Sequence, residues 1–121
     1  MRFFDDNPTN ASRALQIWQI LVAKASNRQT LTYGMLAGML GYKGAGGLGS
    51  QLQPIMRYCQ QNNLPALTVL VVNKDTGLPG VGLVGAELNA GREAVFQYEL
   101  YKIYPPTVEE LKAASGQEAT G

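Results

Sequence analysis

Thr32-Tyr33-Gly34-Met35-Leu36-Ala37-Gly38-Met39-Leu40-Gly41, continued by Tyr42-Lys43-Gly44-Ala45-Gly46-Gly47-Leu48-Gly49-Ser50, is the stretch on which the fold turns. Thr32 carries the side-chain oxygen that caps a helix start. Tyr33, Leu36, Ala37 and Leu40 then fall on one helical face, and Gly41 stands where helices end in the left-handed conformation. The pattern predicts a short helix over about 33–40. Five glycines follow in the ten residues 41–50. Leu48, Leu52, Ile55, Met56 and Cys59 then recur at helical spacing as far as Asn62-Asn63. Pro54 lies inside that run, so the reading is a helix over about 46–62 with a break near Gln53-Pro54.

Upstream, Thr9-Asn10 can cap a helix over about 10–26. Leu15, Trp18, Leu21, Val22 and Ala25 form its apolar stripe, Ile17 and Ile20 widen it, and Asn27 ends it. Residues 29–32 read as a short extended link. Downstream, the β-branched run Leu67-Thr68-Val69-Leu70-Val71-Val72 reads as a buried strand. Asn73-Lys74-Asp75-Thr76-Gly77 is a turn with glycine where a positive φ is needed. Residues 78–84 can return as a second strand, made irregular by Pro79-Gly80. A helix over 87–100 follows, with Leu88, Val95, Tyr98 and Ala94 inward. Thr107-Val108-Glu109-Glu110 has the capping-box spacing and opens a last short helix to about Ala114.

The order is helix, short helix, glycine-rich turn, helix, hairpin, helix. That is an α+β winged helix-turn-helix, a three-helix core with a two-stranded β-wing and C-terminal helices. The length of 121 residues fits a single domain over 1–121. Its parts read as an N-terminal arm at 1–8, the winged-helix core at 9–104, and a short helix with a flexible tail at 105–121.

Composition narrows the function. Ten Lys and Arg against nine Asp and Glu leave a net charge of +1, which excludes a histone-like binder and an acidic tail protein. There is no histidine, which removes His-dependent triads, His-ligated metals and imidazole acid–base catalysis. One cysteine allows neither an intrachain disulfide nor a Cys-rich zinc site. The acids stand at the chain ends or apart, without the pairing that hydrolysis or a hard metal needs. The expectation is a non-enzyme without cofactor or metal. No apolar run approaches membrane-spanning length, and Asp5-Asp6 stand where a signal peptide would be apolar. The expected location is the cytoplasm.

Thr32-Tyr33-Gly34-Met35-Leu36-Ala37, then Leu40-Gly41 and a glycine-containing helix start, resembles the DNA-binding half of the O6-alkylguanine-DNA alkyltransferases and their alkyltransferase-like relatives. The similarity covers about residues 14–85. It implies a recognition helix, a β-wing and a nucleic-acid surface. The family's reactive Pro-Cys-His-Arg motif would fall where this chain reads Val71-Val72-Asn73-Lys74, and its base-stack arginine near Gly46. The resemblance therefore implies neither alkyl transfer nor an arginine wedge, and of the family's DNA contacts only Tyr33 carries over. The stretch 72–80 is also similar to small uncharacterised bacterial and phage proteins.

The candidate contacts follow from this frame. Gly44, Gly46, Gly47 and Gly49 at a helix start can cradle a phosphate, with Lys43 beside them, or can form a tight turn where two helices cross. The spacing is not that of a P-loop. Ser50, Gln51, Gln53 and Arg57 would face outward, opposite Leu48, Leu52 and Met56, and can read base edges or phosphates. Lys74 sits at the wing tip. Cys59 and Trp18 read as core. Tyr98, Tyr101 and Tyr104 are either a stacking platform or packing for the C-terminal segment on the first helix. Glu109, Glu110 and Lys112 read as a solvated face. The expected function is non-catalytic duplex DNA binding through the third helix and the wing. The alternatives are a protein-interaction module of a bacterial defence or phage counter-defence system, or a nucleotide binder using the glycine turn. The pattern leaves monomer and dimer both open.

Overall fold

The computed structural model describes residues 9–79 and 85–120, with side chains described over 87–115 of the second stretch. Its first helix, α1 (Asn10–Ser26), starts where the sequence predicts. Thr9 accepts from the Ser12 amide and the Ser12 hydroxyl accepts from the Thr9 amide, a reciprocal cap. Arg28, just beyond its end, holds a φ of 54°, while the Gln29 amide bonds the Lys24 carbonyl. This is a left-handed closure without glycine.

The residues 31–32, read as a link, form strand β1 (Leu31–Thr32). Helix α2 (Tyr33–Met39) follows, with the Thr32 hydroxyl accepting from the Met35 amide. Gly41 takes a φ of 80°, and the Tyr42 amide closes back on the Ala37 carbonyl at 2.9 Å. A side chain at that φ would be strained, so this glycine is needed by the fold.

Helix α3 (Leu48–Gln61) is unbroken. The expected break at Gln53-Pro54 does not occur. The carbonyl that Pro54 cannot engage belongs to Ser50, in the exposed first turn, where water can satisfy it.

The run 67–72 is buried throughout, as expected, but only its end is extended. Residues Leu67–Leu70 form a 3₁₀ turn, and strand β2 (Val71–Val72) pairs in parallel with β1, Leu31 opposite Val71 and Thr32 opposite Val72. The parallel partner is an addition to the expected hairpin, which placed 67–72 against 78–84. One antiparallel bridge joins Val72 to Pro79, and the rest of the expected return strand, 80–84, lies outside the described residues. The turn between them is as predicted: the Asp75 amide bonds the Asn73 side chain, and Gly77 has a φ of 68°.

Helix α4 (Gly85–Gln97) ends three residues early relative to the prediction, and a short 3₁₀ turn, Leu100–Lys102, follows. Leu88 and Val95 are buried, but Ala94 and Tyr98 face solvent and Leu100 takes the inward place. Helix α5 (Val108–Thr120) opens on the capping box of Thr107 and Glu110 and runs past the expected end at Ala114.

Among the described residues the chain is thus α+β and mostly helical, with five α-helices and one small parallel sheet. The core lies between α1, α3, α5 and the 67–70 turn. Ile17, Leu21, Leu48, Ile55, Leu70 and Leu111 fill it. Trp18 is buried there, with its ring edge-on to Tyr58 at 5.6 Å. No described helix is long and apolar enough to cross a membrane.

Candidate nucleic-acid interface

Parallel pairing decides which candidates meet. Thr32 and Val72 leave the sheet side by side, so Tyr33 and the turn bearing Lys74 emerge at the same end. From Tyr33, α2 runs about 10 Å to the glycine turn. Tyr33 is half-buried against the core, whereas Lys43, Gly44, Gly46, Gly47, Gly49, Ser50 and Lys74 are exposed. The turn at 73–77 stands at the start of α2, and the glycine turn with the start of α3 stands at its other end.

The glycine turn is not a close helix crossing. A Cβ placed on Gly44, Gly46, Gly47 or Gly49 would meet nothing within 4 Å, and none of the four has a positive φ. The tight-turn reading therefore fails for these positions, and folding does not explain them. Without side chains they leave the space beside the backbone open. Gly47 precedes α3 without any side-chain cap, while α1 and α2 have Thr9 and Thr32 in that place.

Three predicted contacts are not free to act as expected. Gln51 is half-buried and accepts a hydrogen bond from the Tyr42 hydroxyl at 3.0 Å. Gln53 accepts one from the Ser115 hydroxyl of α5 at 2.8 Å. Gln61, two turns on, donates to the Ala114 carbonyl of α5 at 3.4 Å. Arg57 lies between those positions on the same flank and is half-buried, with its Nε out of contact with solvent. The flank of α3 expected to read bases is therefore the flank that α5 covers. Only Ser50, of the four α3 candidates, faces solvent.

Sequence reading missed Arg13. It is 7% exposed, donates to Gln16 at 2.9 Å, reaches the Leu40 carbonyl at the end of α2, and lies 5.2 Å over the Tyr42 ring. With the Tyr42–Gln51 bond this chain of contacts fixes the glycine turn from both sides. The signal was present: Arg13 stands four residues before Ile17, on the inward stripe of α1.

A second signal hides behind the net charge. Residues 7–74 contain six Lys and Arg and no Asp or Glu, whereas residues 75–121 contain three Lys and Arg and seven Asp and Glu. All of α1, α2 and α3 lies in the acid-free part. The near-neutral total conceals two parts of opposite sign.

Of the other candidates, Cys59, Glu109, Glu110 and Lys112 take their plainer roles, and the three tyrosines do not. Cys59 is buried, and burial pushes its thiol above the ordinary range despite a backbone hydrogen bond from Leu67 that lowers it. Tyr98, Tyr101 and Tyr104 are exposed, and Leu100 and Ile103 do the packing that was expected of them. Glu109, Glu110 and Lys112 are exposed. No group of acids or thiols that could hold a metal ion occurs among the described residues. No known family model, curated protein or solved structure matches this chain.

Proposed function

We propose that the protein is a non-catalytic DNA-binding module of winged-helix type. It would hold duplex by its phosphates through the surface running from the 73–77 turn, past Tyr33, to the glycine turn and the start of α3. The observation that carries this is the charge partition: all three helices of the α1–α3 unit lie in an acid-free stretch, with Lys43 exposed in its glycine turn and Lys74 exposed at its last residue. Phosphate neutralisation dominates duplex affinity, and a face whose acid is confined to Asp75, beside Lys74, repels the backbone little. The start of α3, which has no side-chain cap, suits a phosphate oxygen, since the helix dipole adds to its amide donors. The tight α2–turn–α3 succession, with a turn projecting beside the start of α2, supports the winged-helix reading. Base reading by Gln53 and Arg57 drops out, because α5 occupies their flank.

The test is binding of labelled duplex at about 50 and 200 mM salt. Affinity should fall steeply with salt, and each of Lys43→Ala and Lys74→Ala should flatten the slope by about one contact. Absence of binding at the lower salt, or lysine variants with unchanged slope, would refute the reading.

A further inference from the structure

The flank of α2 turned away from the core has no role in the fold and none in the phosphate surface. Helix α2 buries Leu36 and Ala37 and leaves Gly34, Met35, Gly38 and Met39 to solvent. Met35 and Met39 are 52% and 55% exposed, among the few large apolar side chains so placed. Met39 also forms one wall of a groove of about 510 Å³ between α1 and α2, lined further by Gln16, Gln19, Ile20, Lys24 and Asn27. The exposed thioethers and the groove are therefore one surface. Gly38 leaves open space where a Cβ would stand, and Gly34 has only an ordinary contact at 3.9 Å.

We infer that this surface docks an acidic amphipathic helix of a partner protein. Its apolar stripe would cover Met35 and Met39 and enter the groove at Ile20, and its flanking carboxylates would face Lys24. Charge complementarity selects this occupant. The groove is lined by amides and a lysine, and every residue of it lies in the acid-free part of the chain. Methionine suits such an anchor because its unbranched thioether adapts to the partner's side chains. Nucleic acid gains little from thioethers, whose burial rewards an apolar ligand. Among the described residues a second copy offers no matching helix: the acids lie mainly along α4 and α5, and those helices already bury their apolar residues Leu88, Val95, Leu111 and Ala114.

The inference does not depend on the DNA reading, and one experiment scores them separately. The chain has four methionines, so spectra of the whole protein labelled at the methionine methyls are easily resolved. The probe is a synthetic peptide of about 18 residues, long enough to hold a helix. It carries Leu at i, i+3, i+4 and i+7 spacing and Glu elsewhere. Controls are the same peptide scrambled, the same peptide with Lys for Glu, and a DNA duplex. The acidic helix should shift the Met35 and Met39 methyls and leave Met56 in place. Met35→Ser with Met39→Ser, at exposed positions where folding is unaffected, should weaken it at least tenfold. Lys24→Glu should weaken the acidic peptide and favour the lysine peptide. Equal binding of the scrambled peptide, unshifted Met35 and Met39, or undiminished affinity of the serine variant would overturn the inference. So would a duplex that shifts Met35 and Met39 where the peptide does not, and that result would hand the surface to nucleic acid.

Discussion

The outward flanks of α2 and α3 reverse the ordinary division of polar and apolar surface. On α3 the polar residues Gln53 and Arg57 are half-buried on the flank that faces α5, and Gln53 and the exposed Gln61 are hydrogen-bonded to it. On α2, a few residues earlier in the chain, Met35 and Met39 stand in solvent. Covered polar groups that find partners are compatible with a stable interior. Exposed apolar groups with no folding role mark a surface that meets something else. The comparison thus assigns the first flank to stability and the second to recognition.

The largest effect tests the first half of that assignment. If α5 is part of the core, Leu111→Ala should destabilise the protein by about 2–5 kcal/mol, since Leu111 is fully buried. The urea midpoint should fall with little change in slope. A loss below about 1 kcal/mol would mark α5 as an appended cap, well under the usual cost of such a truncation. It would also return Gln53 and Arg57 to the candidate contacts.

A matched pair of glycine substitutions tests the second half. Gly41→Ala should cost about 1–2 kcal/mol, because Gly41 has a φ of 80°. Gly38→Ala should instead stabilise by up to about 1 kcal/mol, because it sits in ordinary helix with room for a methyl group. Thermal melts of the two variants should move in opposite directions. If Gly38→Ala also destabilises, the open flank of α2 has a folding role after all and its assignment to recognition fails.

These outcomes bear on what was legible in the sequence. Caps and stripes were, because they are local: Thr9, Thr32 and the Thr107–Glu110 box each work within one turn of helix. The burial of 67–72 was legible too, but its conformation was not. An apolar β-branched run declares that it is inside, whereas a two-residue strand exists only through its partner, here Leu31–Thr32 some forty residues away. The surroundings of Gln53 and Arg57 were illegible for the same kind of reason. The periodicity of α3 identified its inward stripe and left every other position looking outward. That α5 would cover one of those flanks is a tertiary fact with no local mark at Gln53 or Arg57. The charge partition was in plain view, but net charge is a sum and erases order.

The smallest effect sharpens the α3–α5 contact itself. Ser115→Ala removes the hydroxyl that donates to Gln53 and leaves the apolar packing of Leu111 and Ala114 intact. A hydrogen bond of this partly buried kind is worth about 0.5–1 kcal/mol net. Gln53 keeps access to water, so the cost should stay in that range. The change also removes one partner of Gln53 without lifting α5. If duplex affinity then rises, Gln53 is a base or phosphate contact held in check by the hydrogen bond. If affinity stays constant while stability falls by the expected amount, the polar residues of this flank serve the α3–α5 contact alone. Duplex binding then rests on the glycine turn and on Lys43 and Lys74.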